Sequence, residues 1–502
     1  MRAKAPGLRP FAVFASALSL VLGSASCSDE GVLASVPSVE PFLPPASSES
    51  PPSALEPAPP PAPEPVATIG EGMPAVSLPP PPPAPAESPE VREEAPPRLE
   101  QPALEPPIAC TPLGNSGSLT DTDINVNLAT ELQTISGFGG INVPGWIDDL
   151  TPEQAQTAFG RGADQLGLSL LRVRIPFDPD DFAAEVPTAQ RALALGARVF
   201  ATPWTPPANL KTNNNTVGGE LARANYGAYA AHLLAFRDFM ADNRVPLAAL
   251  SLQNEPDIDV DYESCDWTAA QLSDFLIEQG SRFGDTRLIA AESFNFNRQM
   301  TDPLLNNAAA AAQFEIVGGH VYGSGLSDYP LARQRGKEVW MTEHYTDSNN
   351  SANAWPNALN VGAEIQDSMR ANFNAYVWWY IRRSYGLLTE DGRVSKRGYL
   401  MSQYARFVRP GYVRVAASQP PATTVQVTAF KNGPGRVVVV ALNESTAAQT
   451  VNLDVFGSCV TGFNRFTTSQ TKNAAADGQV NLANGRVSVT LDASSLTTFV
   501  SR

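Results

Sequence analysis

The sequence describes an α/β protein, a (β/α)8 barrel carrying an associated side β-sandwich domain. Three observations lead there. After Cys110, apolar strand-like runs alternate with helix-like stretches eight times in roughly 275 residues, which is the span of one closed (β/α)8 unit, or TIM barrel. Two of those runs stop at a glutamate, Glu255 and Glu343, and a barrel enzyme holds its reactive groups at the carboxyl ends of its strands. From about Gly411 helical periodicity gives way to short alternating runs separated by Asn-Gly turns, the pattern of a sandwich.

In chain order, Arg2, Lys4 and Arg9 precede an apolar run from Phe11 to Leu22 and then Gly-Ser-Ala-Ser, so residues 1–26 read as an export signal. The expected location is extracellular or the outer surface. Cys27 follows the small residues directly and is a candidate lipid anchor, although Ser24 stands three before it where an aliphatic residue is usual; ordinary secretion, with cleavage near Ala25 or Ser26, is the other reading. Residues 27–109 are dominated by Pro, Ala, Glu and Ser and hold too little apolar surface to fold, so they read as a tether. At ~3.1 Å per residue in the polyproline form such a segment reaches up to ~200 Å. Residues 110–134 include an alternating stretch, Asp123 to Leu128, and are expected to donate a strand to the side domain.

The barrel is expected over 135–410, with strands near Ile135–Gly139, Ser169–Ile175, Arg198–Thr202, Ala248–Gln253, Arg287–Ala291, Glu315–Val321, Glu338–Thr342 and Ala375–Tyr380. Tyr226 to Met240 carries apolar residues at spacings of three and four and reads as a helix between two of them. Residues 411–502 form the sandwich, with alternation at Thr424–Thr428, a buried run at Val437–Leu442 and turns at Asn432-Gly433 and Asn484-Gly485.

The 502 residues carry a formal net charge of −16, which disfavours nucleic acid as a partner. No cofactor or metal is expected: there are three histidines and no HExxH. Asp257, Asp259, Asp261 and Glu263 alternate like a calcium loop, but Tyr262 stands where its glycine belongs and Thr268 where its last glutamate belongs. Gly137, Gly139 and Gly140 lack dinucleotide spacing, and His232 lies in a helical run among apolar neighbours. Of Cys110, Cys265 and Cys459 at least one is left over in an oxidising compartment, with Cys110–Cys459 the preferred pair.

Ser-Leu-Gln-Asn-Glu-Pro-Asp at 251–257 and Trp-Met-Thr-Glu-His-Tyr at 340–345 place two carboxyls 88 positions apart, at the ends of the fourth and seventh strands. A lone strand-end glutamate is more often an ion pair; two, one of them in an Asn-Glu-Pro context, read as a glycosidase pair. Glu255 is expected to be the acid/base, with Asn254 hydrogen-bonding a sugar hydroxyl and Pro256 fixing the turn, and Glu343 the nucleophile. Trp204, Tyr322 and Trp378 read as walls of a sugar cleft, and Trp379, one residue on, as core.

Phe138-Gly139-Gly140, Pro203-Trp204-Thr205-Pro206-Pro207, the two glutamate motifs and Tyr376-Val-Trp-Trp-Tyr-Ile-Arg-Arg-Ser-Tyr-Gly386 together resemble the bacterial glucuronoxylanases of glycoside hydrolase family 30. The likeness spans roughly residues 120–502. It implies a retaining endo-β-1,4-xylanase that cuts glucuronoxylan where a methylglucuronic acid branch is seated. It also implies that Arg383 meets the branch carboxylate, that Tyr345, Ser348 and Tyr385 complete its hydrogen bonds, and that Arg172 supports the nucleophile. The physics agrees, since a guanidinium fork matches a carboxylate bidentately. Between Arg382 and Arg414 eight basic residues face only Glu390 and Asp391. Rival readings are a family 30 glycosidase on undecorated xylan or β-glucosides and a non-catalytic surface xylan-binding protein. The partner expected is the polysaccharide alone, bound by a monomer.

Overall fold

The computed structural model describes residues 101–112, 123–346, 349–420 and 423–502. The expected export signal, Cys27 and most of the expected tether lie outside the described residues, as does Ser348.

Eight parallel strands close into a barrel: β2 (Gly137–Ile141), β3 (Leu170–Ile175), β4 (Arg198–Pro203), β5 (Leu247–Ser251), β6 (Leu288–Ser293), β7 (Ile316–His320), β8 (Glu338–Glu343) and β9 (Ala375–Trp378). They fall where the apolar runs place them. The floor of the barrel is filled by Leu170, Phe200, Ala249, Ile289, Ile316, Trp340, Ala375 and Val377, contributed by seven strands. Alternate residues of the same strands, among them Leu171, Val199, Leu250, Ala290, Val317, Met341, Tyr376 and Trp378, face the surrounding helices. The helix α3 (Tyr226–Asp242) buries Tyr226, Tyr229, Ala230, Leu233, Phe236 and Met240, a stripe at helical spacing that pins it to this outer layer.

Before the barrel, β1 (Asp123–Thr134) runs antiparallel to β10 (Val413–Ala417) and parallel to β13 (Gln449–Phe456). With β11 (Val425–Lys431), β12 (Val437–Asn443), β14 (Gly462–Thr468), β15 (Ala475–Asn481), β16 (Arg486–Leu491) and β17 (Ser495–Ser501) they make one nine-stranded sheet, in which β15 and β16 form opposite edges. Val126, Val427, Val439, Leu453, Phe463, Val489 and Phe499 nevertheless share one core, so the sheet doubles over on itself as a sandwich. Asn484-Gly485, with φ of 51° and 78°, turns the chain between the two edges. The opposite sheet face, with Phe430, Val438, Val440, Leu442 and Leu496, joins the barrel core. It docks on α8 (Leu359–Arg370) and α9 (Lys396–Ala405), where Thr428 Oγ1 donates to Gln366 Oε1 (3.0 Å) and Gln403 Nε2 to Thr468 Oγ1 (2.8 Å).

One boundary differs from the expectation. Residues 101–109, read as tether, lie on the folded body: Ile108 pairs through its backbone with Asn432 and Gly435, each at 3.0 Å, and the next segment begins at Cys110, which is disulfide-bonded to Cys459. Glu105 accounts for it, since its carboxylate meets Arg161 at 2.7 Å and Arg436 at 2.9 Å and accepts from Tyr412 (2.8 Å). Cys265 is buried and free.

Candidate active site

The mouth of the barrel at the carboxyl ends of its strands holds a cleft of about 430 Å³ lined by Trp146, Trp204, Glu255, Tyr262, Phe294, Tyr322, Glu343, Tyr345 and Trp379. Glu343 ends the seventh barrel strand, as expected. By simple alternation it would face outward with Val339 and Met341, but β8 carries a register shift against β7, with Gly319 opposite Met341 and His320 opposite Glu343. That extra residue turns the carboxylate into the mouth. Glu255 lies in the loop after β5 with φ of 43°, a left-handed conformation costly for a residue with a Cβ, and its amide donates to Glu292 O at 3.0 Å.

The two carboxylates share one network. Glu343 Oε1 accepts from the Tyr322 hydroxyl (2.8 Å), and Oε2 accepts from Arg172. Arg172 is fully buried; its Nη2 also donates to Asn254 Oδ1 at 2.6 Å and lies 3.0 Å from Glu292. That contact fixes the Asn254 amide and leaves its Nδ2 as a donor for a ligand. Glu255 Oε1 meets His320 Nδ1 at 2.7 Å and Oε2 accepts from Tyr262 (3.2 Å). Ligand atoms of Glu255, His320 and Glu343 all lie within 4.8 Å of one another.

Burial would discharge His320, but Glu343, Glu255 and Glu292 outweigh it and raise its pKa to about 9. Burial pushes the Glu343 carboxyl above the usual range, against the pull of His320 and Arg172 and with the help of Glu255. For Glu292 burial acts in the same direction, yet Arg172 and His320 overcome it and hold the group down at about 2. Arg172 and His320 thus set two cations against the carboxylates of Glu255, Glu292 and Glu343 as one ion network.

Aromatic rings wall the cleft. Trp146 meets Trp204 edge-on at 5.2 Å and Trp379 lies 6.1 Å from Trp204, while the Arg172 guanidinium sits 4.7 Å from the Trp204 ring centre. Trp378 is not among them. It is fully buried between barrel and helices, and Trp379 takes its place in the cleft. Ala375 and Val377 face the barrel axis, so it is the next odd position, 379, that emerges at the mouth; alternation was read with the wrong phase.

Tyr345 lines the same cleft and stacks on Tyr385 at 5.0 Å. Arg383 stands beside them, its guanidinium 5.5 Å from the Tyr380 ring centre, with a side chain 43% exposed. Its nearest carboxylate among the described residues, Glu390, is 3.8 Å away, beyond hydrogen-bonding distance. The neighbouring Arg382 is spent on the Asp148 carbonyl (2.9 Å). Glu292, His320, Tyr262, Phe294 and Trp146 are the site residues that the sequence reading passed over. Glu292 and His320 obey the same strand-end rule as the glutamates, one at Ala-Glu-Ser 291–293 and one at Gly-His-Val 319–321. His232 is elsewhere, its Nε2 3.0 Å from Pro176 O, and Asp257 accepts from the Phe294 amide rather than pointing into a loop of its own.

Residues 172–339 match the glycosyl hydrolase family 30 TIM-barrel domain and residues 411–499 the family 30 beta sandwich domain. A glucuronoxylanase, XynC, of Bacillus subtilis strain 168 is 42% identical over 398 residues, covering 77% of this chain and 93% of its own. The chain belongs to glycosyl hydrolase family 30. Among solved structures, the family 30 subfamily 8 xylanase Xyn30A from Clostridium acetobutylicum superposes with a TM-score of 0.71 at 40% identity, covering 76% of this chain and 99% of that one. A family 30 endoxylanase from Clostridium papyrosolvens C71 gives 0.69 at 35%, covering 76% and 100%. Family 30 membership makes the chain a glycoside hydrolase.

Proposed function

We propose that this family 30 enzyme is a retaining endo-β-1,4-xylanase that cuts glucuronoxylan at positions set by a (methyl)glucuronic acid branch. The observation that carries the reading is Arg383: a guanidinium at the cleft, flanked by Tyr345, Tyr380 and Tyr385, with no carboxylate of the described residues in hydrogen-bonding distance. A uronate is the sugar acid that fits such a fork. The relatives named as glucuronoxylanases and xylanases support the substrate class.

Carboxylate oxygens within 4.8 Å of each other suit direct displacement, for which carboxyls about 5 to 5.5 Å apart are typical, and fall short of the roughly 6.5 to 9.5 Å that admits a sugar and an attacking water together. Glu343, oriented by Tyr322 and Arg172, attacks the anomeric carbon. Glu255 delivers its proton to the departing oxygen and then takes one from the water that releases the xylosyl enzyme. Asn254 Nδ2 is left to hold the sugar 2-hydroxyl, and the Trp146–Trp204–Trp379 wall offers faces for the apolar sides of xylose rings.

Export of a single-chain enzyme is part of the same proposal, with Cys27 as a lipid anchor. The Cys110–Cys459 disulfide supports an oxidising compartment, and the cleft is completed by this chain's own residues, as a monomer requires. Mass spectrometry of products from glucuronoxylan and from the same polymer stripped of its branches tests the function. The expected result is a product series in which every oligosaccharide carries one uronate at a fixed distance from its reducing end, and little release from the stripped polymer. Equal cleavage of both polymers overturns it.

A further inference from the structure

A second cavity, of about 480 Å³, opens next to the catalytic cleft and shares one wall with it, Phe294. Phe294 stacks on Tyr322 at 5.1 Å, and Tyr322 holds Glu343, so the ring connects the groove to the reacting centre. Beyond Phe294 the apolar side chains Ile258 and Phe296 line it together with the polar Asp257, Arg298, Ser324 and Ser327.

The groove is held rigidly. Asp257 is clamped by the Phe294 amide and Asn297 Nδ2, both at 3.0 Å. Gly325 has φ of 90°, and a Cβ there would lie 2.3 Å from Asn295 O, so the loop after β7 closes on the loop after β6 in a form that only glycine allows. Arg298 is pinned with its guanidinium 3.7 Å from the Tyr329 ring centre, and Nη2 donates to Asp328 O at 2.8 Å and Ser327 Oγ at 3.3 Å. It pairs with no described carboxylate within 4.0 Å, and its Nε and Nη1 donate to no described acceptor. An arginine fixed in this way, with donors to spare, is set for a ligand.

Position says which part of the substrate that is. In the closed ring β5 stands four strands from β9. The loops after β8 and β9 carry Tyr345 and Arg383, where the branch sits, and the groove is built from the loops after β5, β6 and β7. Asp257 is two residues past Glu255, the group that protonates the departing sugar. We propose that this groove seats the xylose units beyond the first on the leaving-group side of the cut, with Phe294 against a sugar face and Arg298, Ser324 and Ser327 bonding hydroxyls. This rests on the xylanase reading above and adds to it a binding site for the departing half of the chain.

The test is kinetic, on oligosaccharides that share one uronate-bearing non-reducing part and carry one, two or three xyloses beyond the cleaved bond. For the wild-type enzyme kcat/KM is expected to rise as leaving-side units are added. Arg298→Ala removes the fixed donors, and Ser324→Trp, at an exposed turn residue, fills the groove without touching the barrel core. Each is expected to flatten that rise by roughly tenfold, the worth of one hydrogen bond to a charged group, while the shortest substrate is cleaved as before. Unchanged increments in both variants overturn the proposal, as does an equal loss on every substrate by variants whose melting temperature is that of wild type. A wild-type enzyme that cleaves none of the series fails the xylanase reading instead, whereas one that cleaves all three members equally well fails the groove alone.

Discussion

Glu343 has a buried carboxylate fixed by Tyr322 and Arg172, and Gln changes its volume little, so Glu343→Gln should fold normally and lose turnover by about a hundredfold or more. Glu255→Ala should lose about 10² to 10⁴, and azide should rescue it with an activated aryl glycoside, because azide attacks the glycosyl enzyme without a base. Steady-state rates with and without azide check both, and a rescue of Glu343→Gln in place of Glu255→Ala would exchange the two roles. Arg383→Ala should remove a charge-assisted bidentate contact, about 1.5 to 3 kcal/mol, and lower kcat/KM on glucuronoxylan roughly ten- to a hundredfold. Activity on linear xylooligosaccharides should stay where it was, so that the two substrates converge; equal loss on both would make Arg383 structural. His320 predicts a pH effect. Its folded pKa is raised from 6.5 to about 9, so the charged ring stabilises the fold fully below about pH 6.5, and that contribution is lost as pH climbs through 9. Melting temperatures of wild type should therefore fall across this window, and those of His320→Gln should lack that part of the fall.

Strand ends, rather than strands, decide which side chains reach substrate. Both β6 and β8 carry register shifts where they approach the mouth, and in β6 two non-glycine residues, Ala291 and Glu292, have φ of 69° and 32°. These irregularities aim Glu292 and Glu343 inward, so the geometry that makes the site is the geometry that breaks the period-two pattern. The barrel was legible from its apolar runs because burial on both faces leaves few alternatives. That Glu255 and Glu343 reach the mouth was legible because a carboxylate after such a run is rare. Trp378 and Trp379 were not, since two adjacent indoles carry no mark of which faces the axis; the answer lies in Ala375 and Val377, the small residues that fill the barrel floor. Glu292 and His320 were hidden among the apolar residues of their own strands. The corrected assignment separates the two tryptophans experimentally. Trp379→Ala should lower kcat/KM on xylan with a nearly unchanged melting temperature, whereas Trp378→Ala should cost about 3 to 5 kcal/mol of stability, the usual range for emptying a buried indole site. Denaturant titration beside xylan kinetics distinguishes them, and the reverse pattern would restore Trp378 to the cleft.

At the scale of the whole molecule the sandwich is stitched from both ends of the folded chain. β1 comes from before the barrel and lies between β10 and β13 from after it, so the sandwich cannot be completed until the barrel and the chain beyond it have been made. Cys110 and Cys459 close that arrangement covalently across 349 positions. The cross-link falls next to the Ile108–Asn432 backbone pair and the Glu105–Arg436 ion pair, and both of these contacts also bind the chain before β1 to the sandwich. Joining two points so distant in sequence restricts the unfolded chain far more than the folded one, where the ends are already neighbours. Replacing both cysteines by serine should therefore destabilise the enzyme, by about 2 to 4 kcal/mol for a disulfide of ordinary worth. Activity at low temperature should be untouched, because none of the residues lining the catalytic cleft comes from either segment. Paired measurements of melting temperature and kcat/KM on the Cys110→Ser, Cys459→Ser double variant check this. A lower melting temperature with intact kinetics is the expected outcome. Intact stability would mean that Glu105 and Ile108 hold the segment without the covalent bond, and loss of activity in a fully folded variant would mean that the sandwich reaches the barrel mouth through the helices on which it docks.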